Sequence, residues 1–293
     1  MTPPADAHHS SIVLITGATD GLGRAMAVFL AANGYRIFAA GRNAEKRASL
    51  DQLAADRKLQ IETLDMDVAD DASVTRGVAR VLDRAGRIDA LINNAGVAYV
   101  AVMEEIRLDD LRRQYETNVF GVLRLTQAVL PGMRERRAGR ILNVSSIAGK
   151  IALPLMGPYA SSKHALEGLS DSLRLELAPF GVRVILIEPG FIPTNMSSTS
   201  LDLSAAYAAK AEKSPYAAVY RSFRGMWKKT TDAARATPED CARVVLRALL
   251  DTPPRARYTV TSRARFGVLA KRFLSDRMLD KRILRSMGLD KPL

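Results

Sequence analysis

From residue 11 to residue 187, short apolar runs rich in Val and Ile alternate with stretches whose apolar residues recur every three or four positions. Runs at 11–15, 35–40, 61–66, 90–92, 139–144 and 182–187 read as strands. The stretches 22–33, 44–55, 70–84 and 159–177 read as helices, and 108–136 as one or two long ones. Strands that are apolar on both faces leave no side for solvent. They require a parallel sheet covered by helices above and below. With right-handed crossovers, the expected architecture is α/β: a doubly wound, three-layer sandwich with its ligand at the carboxyl ends of the strands.

The length of 293 residues would allow two domains, yet no Pro/Gly/Ser-rich linker separates two cores. One domain is expected over 11–254, preceded by a polar, disordered start at 1–10 that holds His8 and His9. A basic extension follows over 255–293.

Directly after the first strand stands Thr16-Gly17-Ala18-Thr19-Asp20-Gly21-Leu22-Gly23, which leads into a helix. Glycines here allow a tight turn, close approach of main chain to a pyrophosphate, and close packing of helix on strand. The helix N-terminus adds free N–H groups and a favourable dipole. This is a Rossmann-type dinucleotide turn. About twenty residues on, where a carboxylate would bind the adenosine ribose of NAD, the second strand ends in Ala40-Gly41-Arg42. Gly41 offers no carboxylate, and Arg42 is a planar donor suited to a 2′-phosphate. NADP(H) is therefore expected to be preferred over NAD(H).

Tyr159 and Lys163 are four residues apart and share one helix face, with the ammonium beside the phenol. A free phenol titrates near 10 and is a poor base at neutral pH. A neighbouring ammonium and an oxidised nicotinamide both favour the phenolate, which suits Tyr159 to general acid–base work. Ser146, after the preceding strand, can bond a substrate oxygen and stabilise its charge.

Taken together these features resemble the short-chain dehydrogenase/reductase family, of the compact single-domain type, over about residues 12–194. The resemblance is carried by TGATDGLG at 16–23, Asp67-Val68, NNAG at 93–96, Thr117-Asn118, Ser145-Ser146, YASSK at 159–163 and PGFIPT at 189–194. It implies a catalytic set of Asn118, Ser146, Tyr159 and Lys163, with Ser146 chosen over Ser145 by its spacing to the tyrosine. It also implies that Asn118 holds a helix backbone and a water, and that Lys163 bonds the nicotinamide ribose. Cofactor contacts are implied for Gly17, Thr19, Asp20, Gly21, Leu22, Gly23, Asp67, Val68, Asn94, Ala95, Gly96, Pro189, Gly190, Ile192 and Thr194. Some members carry a basic residue just before the second glycine. Here it is Asp20, so phosphate selection would rest on Arg42 or its neighbours.

Beyond residue 190 the resemblance thins, and there it implies a lid at 195–235. Met196, Tyr207, Tyr216, Tyr220, Phe223, Met226 and Trp227 stand in that segment. Further walls are expected from 97–100 and 153–158. A mostly apolar lining suits a lipophilic alcohol or ketone, and the stretches around 118–131 and 187–190 look like the hydroxysteroid/retinol dehydrogenase branch. Alternatively, the same aromatics only pack the lid against the domain. Homo-oligomerisation, as a dimer or tetramer through the helices at 108–136 and 159–177, is also implied.

The chain carries a net charge of +12, of which +8 lies in residues 255–293. There Phe266, Leu269, Phe273, Leu274, Met278, Ile283 and Leu284 recur at helical spacings among the arginines and lysines. Such a helix can rest on an anionic membrane, or dock on its own domain with its charges solvated. No nucleic-acid recognition module accompanies the charge. A lone Cys241 and three histidines make neither a disulfide nor a zinc site. No apolar run is long enough to span a bilayer, and the start lacks a signal-peptide centre, so a cytoplasmic protein is expected. A redox sensor without turnover is the competing reading, and the intact Tyr159/Lys163 pair weighs against it.

Overall fold

The computed structural model describes residues 11–291; the N-terminal segment 1–10, with its expected disorder, lies outside them. The strands are β1 (Ile12–Thr16), β2 (Arg36–Gly41), β3 (Ile61–Asp65), β4 (Ala90–Asn93), β5 (Gly139–Val144), β6 (Val182–Glu188) and β7 (Arg257–Thr259). They form one sheet in the order β3-β2-β1-β4-β5-β6-β7, and every pairing is parallel. Both faces are covered. Val13, Ile15, Ile37, Ile92, Leu142 and Ile185 point to one side, under α1 (Gly21–Ala32), α2 (Ala44–Asp56) and α10 (Pro238–Leu250). Leu14, Phe38, Leu64, Leu91, Ile141 and Val184 point to the other, under α3 (Asp71–Ala85), α5 (Gly121–Glu135) and α6 (Gly157–Leu177). The period-two alternation within β1 therefore feeds two cores, which is why no polar residue interrupts it. Burying each such Leu or Ile stabilises the fold by roughly 1.5–3 kcal/mol.

Helix starts follow local chemistry. Asn43 caps α2 by accepting from Lys46 N at 2.8 Å, and Asp70 caps α3. Thr237 and Asp240 form a reciprocal capping box on α10. That helix was not among the expected elements, although its cap was visible in the sequence. Its Cys241 is fully buried, and burial pushes the thiol up to about 12.

One expectation is revised and one is narrowed. The sheet continues past residue 254, because β7 adds to β6 from within the segment assigned to the extension. Three residues, Arg257, Tyr258 and Thr259, are too short a run to show a strand period. The stretch 108–136 is two helices, α4 (Leu108–Tyr115) and α5, joined by a π-helical turn over Glu116–Phe120. That turn holds Asn118.

β1 has β2 on one side and β4 on the other, so strand order reverses at this point. The turn after β1 and the loop after β4 diverge there and open a crevice at the carboxyl edge. Beyond β6 come α7 (Asn195–Leu203), α8 (Ala205–Ala208) and α9 (Ala217–Asp232). After β7, α11 (Ser262–Phe273) and α12 (Asp276–Met287) complete the described chain. No described helix is long and apolar enough to cross a membrane.

Candidate active site

Two cavities meet at the crevice. The first, of about 300 Å³, is lined by Gly17, Thr19, Asp20, Gly21, Leu22 and Arg42, and further by Asp67, Val68, Asn94, Ala95, Gly96 and Thr194. The second, of about 420 Å³, is lined by Ser146, Tyr159, Lys163, Pro189, Gly190 and Ile192. Leu22, Asn94, Ala98, Thr194, Met196 and Ser200 border both, so the cavities are continuous. Of the residues expected at the site, only Gly23 and Asn118 line neither cavity.

Both of those act from behind. A methyl group on Gly23 would lie 2.1 Å from the main-chain oxygen of Gly17 and 2.6 Å from Asn94 Nδ2. Its hydrogen side chain is what lets α1 close on the turn. The turn is also tied across the crevice. Asn94 Nδ2 donates to the oxygens of Thr16 at 2.9 Å and Gly17 at 3.2 Å, and Thr16 Oγ1 accepts from Asn94 N and Ala95 N, both at 3.0 Å. Asn118 is fully buried. Its Oδ1 accepts from Val97 N at 2.9 Å, and its Nδ2 donates to Val97 O at 2.9 Å and Ser162 Oγ at 3.1 Å. The Asn118 side chain therefore clamps the loop after β4. The π-helical turn shifts its side chain inward to do so.

On the second cavity, Ser146 leaves β5 in extended conformation, and Tyr159 and Lys163 project from α6. Lys163 Nζ donates to Val144 O at 2.8 Å and stands 5.7 Å from the centre of the Tyr159 ring. The electrostatics depart from expectation. Burial pushes the Tyr159 phenol up to about 12, while its hydrogen bond with Ser146 works the other way. Burial pulls Lys163 down to about 8, against the attraction of Glu167 one turn along α6. The ammonium turns toward the strand carbonyl, and desolvation of the phenol outweighs the opposing Ser146 hydrogen bond.

The acidic departure in the glycine turn has a structural reason. Asp20 caps α1, accepting from Gly21 N at 2.7 Å, and also accepts from Asn195 Nδ2 at 2.9 Å and from Lys46. Burial raises its carboxyl, yet Lys46, Gly21 and Asn195 together hold it below the ordinary range. Lys46 thereby lines the first cavity beside Arg42, whose guanidinium meets Asp67 at 3.2 Å. Sequence reasoning missed Lys46. Four residues past Arg42, across the cap of α2, it had no motif to mark it.

The lid aromatics divide into two groups. Phe223, Met226 and Trp227 line the second cavity, with Phe223 stacked on Trp227 and Phe191 edge-on to it at 5.1 Å. The tyrosines face away: Tyr207 bonds Asp110 at 2.5 Å, Tyr220 bonds Glu105 at 2.7 Å, and Tyr216 bonds Glu104. They pack this segment onto the domain, so its residues divide between cavity lining and packing. The wall expected from 97–100 is reduced to Ala98, since Tyr99 is buried in a separate cluster with Tyr207 and Val100 in another with Phe223. From 153–158, Leu153 and Met156 reach the cavity.

The short chain dehydrogenase family model matches residues 11–203. The uncharacterized oxidoreductase YusZ of Bacillus subtilis (strain 168) is 38% identical over 239 residues, covering 81% of this chain and 84% of its own. A 3-ketodihydrosphingosine reductase of Bacteroides thetaiotaomicron is 36% identical over 186 residues, 64% of this chain and 65% of its own. Among solved structures, a gluconate 5-dehydrogenase of Burkholderia cenocepacia in complex with NADP and tartrate superposes with a TM-score of 0.71 at 26% identity. That superposition covers 87% of this chain and 95% of the other.

Proposed function

The chain belongs to the short-chain dehydrogenase family of oxidoreductases, and from that premise we propose that it transfers a hydride between NADP(H) and a lipophilic alcohol or ketone, with Tyr159 as general acid–base. The observation that carries this reading is the joining of two unlike cavities. One is lined by a glycine turn, a helix start and the cations Arg42 and Lys46. The other is walled by Ile147, Ile151, Leu153, Phe223, Met226 and Trp227, and Tyr159, Ser146 and Lys163 are among its polar groups.

The residues fit a bound dinucleotide. A methyl on Gly17 would lie 2.9 Å from Ala95 Cα, and Gly17 and Gly21 both hold positive φ, so side chains are kept out of the cradle where a pyrophosphate would approach the main chain. Asp67 and Val68 would flank the adenine, and Arg42 with Lys46 would take the 2′-phosphate. Asn94, Ala95, Gly96, Pro189, Gly190, Ile192 and Thr194 would bound the nicotinamide half. When bound, nicotinamide supplies or accepts the hydride, and its oxidised form adds positive charge that favours the phenolate.

The chain's own groups handle the proton. In the reducing direction Tyr159 donates from its hydroxyl to the developing alkoxide, and Ser146 donates a hydrogen bond to the same oxygen. In the oxidising direction the phenolate takes the alcohol proton. Lys163, held by Val144, sets the charge beside the phenol, and Asn118 keeps the loop after β4 in register with α6. The apolar wall and the stacked Phe223–Trp227 pair exclude water and favour a bulky apolar substrate, a preference consistent with the ketolipid named for the Bacteroides relative. Exposed Phe120 and Leu175, on the outer faces of the α4–α6 layer, support assembly into a homo-oligomer, which sedimentation would check.

The test is NADPH and NADH oxidation across carbonyls from short aldehydes to long-chain and polycyclic ketones, with Tyr159→Phe alongside. The expected result is turnover with NADPH, highest for bulky apolar ketones. Tyr159→Phe should lose at least ~10²-fold in kcat with unchanged NADPH binding. Near-normal turnover in that variant would remove Tyr159 from the mechanism.

A further inference from the structure

The C-terminal helix pair is docked on one side only. α11 sets Ala264 against Gly190 and Gly267 against Ile147 and Ile151, and these isoleucines also wall the apolar cavity. α12 buries Leu279 and Met287 and packs its inner side on α9, the helix that supplies Phe223, Met226 and Trp227. The opposite face of α11 carries Phe266, Leu269 and Phe273, spaced three and seven residues apart on one stripe. These side chains are 65%, 52% and 76% exposed, and Met278 beyond the turn is 57% exposed. Arg265 and Arg272 border the stripe. With Arg277, Lys281 and Arg282 they are exposed and form no ion pair with any described residue.

We propose that this face docks on an anionic lipid bilayer. Phe266, Leu269, Phe273 and Met278 would enter the interfacial region, and the bordering cations would meet the headgroups. The pairing of large exposed apolar side chains with unpaired cations is what a charged bilayer surface accommodates: an apolar interior beneath a layer of negative charge. A second copy of this chain is a poor occupant, because a two-fold contact would bring two segments of net charge +8 together. The consequence is positional. Because α11 and α12 brace both walls of the apolar cavity, the docked face would bring that cavity close to the membrane, where a lipophilic substrate is dissolved. The inference goes beyond the proposed hydride transfer and stands apart from it, since lipid binding is read without turnover.

The experiment is flotation of the full chain with vesicles of phosphatidylcholine alone and of phosphatidylcholine with 30% phosphatidylserine. The expected result is flotation with the mixed vesicles only, lost in high salt, since each cation near such a surface is worth roughly five-fold in partitioning. The triple variant Phe266→Ser, Leu269→Ser, Phe273→Ser should lose binding about ten-fold or more, with its circular dichroism and its NADPH oxidation in solution unchanged. Failure of the parent chain to float with either vesicle would overturn the proposal. So would undiminished flotation of the folded triple variant. Loss of a dimer by light scattering in that variant, with no vesicle binding by the parent, would assign the face to a second copy instead.

Discussion

Lys163 Nζ donates to the main-chain oxygen of Val144, the last residue of β5, at 2.8 Å, which fixes a cation on the inner wall of the apolar cavity to the sheet itself. The ammonium is thus positioned by a backbone group that no side-chain substitution removes. Its burial has a measurable consequence.

With burial holding Lys163 near 8, below its ordinary 10.5, the folded state disfavours the charged amine. Below pH 8 the full cost of burying the ammonium is present. As pH rises from about 8 to 10.5 the unfolded chain holds more protons than the folded one, and stability rises. Comparison of urea unfolding for the parent and Lys163→Met across this window should show a relative gain of up to about 3 kcal/mol for the parent. A constant difference across the window would show that the amine is not desolvated. Tyr159 acts in the opposite sense at higher pH: its folded value of about 12 lies above the ordinary 10.0, so stability falls between about 10 and 12.

Arg42 and Lys46 line the dinucleotide cavity together, one paired with Asp67 and the other with Asp20. A charge-assisted hydrogen bond to phosphate is worth about 1.5–3 kcal/mol, or roughly ten- to a hundred-fold in affinity. Arg42→Ala and Lys46→Ala should each raise KM for NADPH by about ten-fold or more and leave KM for NADH within about two-fold. Equal weakening toward both cofactors would remove phosphate selection from this pair.

Gly23 and Gly168 are both helical glycines, yet only one has a reason to be glycine. Gly23→Ala would force a methyl against the main-chain oxygen of Gly17, whereas nothing lies within 4 Å of the position a methyl would take on Gly168. Gly23→Ala should destabilise by about 1–3 kcal/mol and weaken cofactor binding with it. Gly168→Ala should stabilise by about 0.5–1 kcal/mol. Thermal unfolding with and without NADP checks both, and a neutral Gly23→Ala would contradict the close packing of α1 on the turn.

The α/β class, the strand positions through β6, the glycine turn and the Tyr159–Lys163 pair were legible because each depends on local chain chemistry. Period-two apolar runs, a glycine turn between strand and helix, and a Tyr–Lys pair at helical spacing are properties of neighbours in sequence. Their positions survive any detail of packing. β7 was not legible, because a three-residue strand has no period and exists only through its pairing with β6.

Whatever depended on residues distant in the chain was decided by tertiary structure. Asp20 reads in sequence as a departure from a basic pattern, and only the approach of Lys46 and Asn195, 26 and 175 residues away, makes it a cap and a latch. Asn118 reads in sequence only as a member of a motif, and the fold alone shows that its side chain is held on the Val97 main chain. The lid aromatics are alike in sequence, and their division into cavity wall and packing depends on which side of α9 and the preceding turns meets Glu104, Glu105 and Asp110. The phenol's elevated pKa likewise comes from burial, a quantity summed over every element that surrounds it. Residue identity and spacing determine which groups are available; desolvation and long-range contact decide what each of them does.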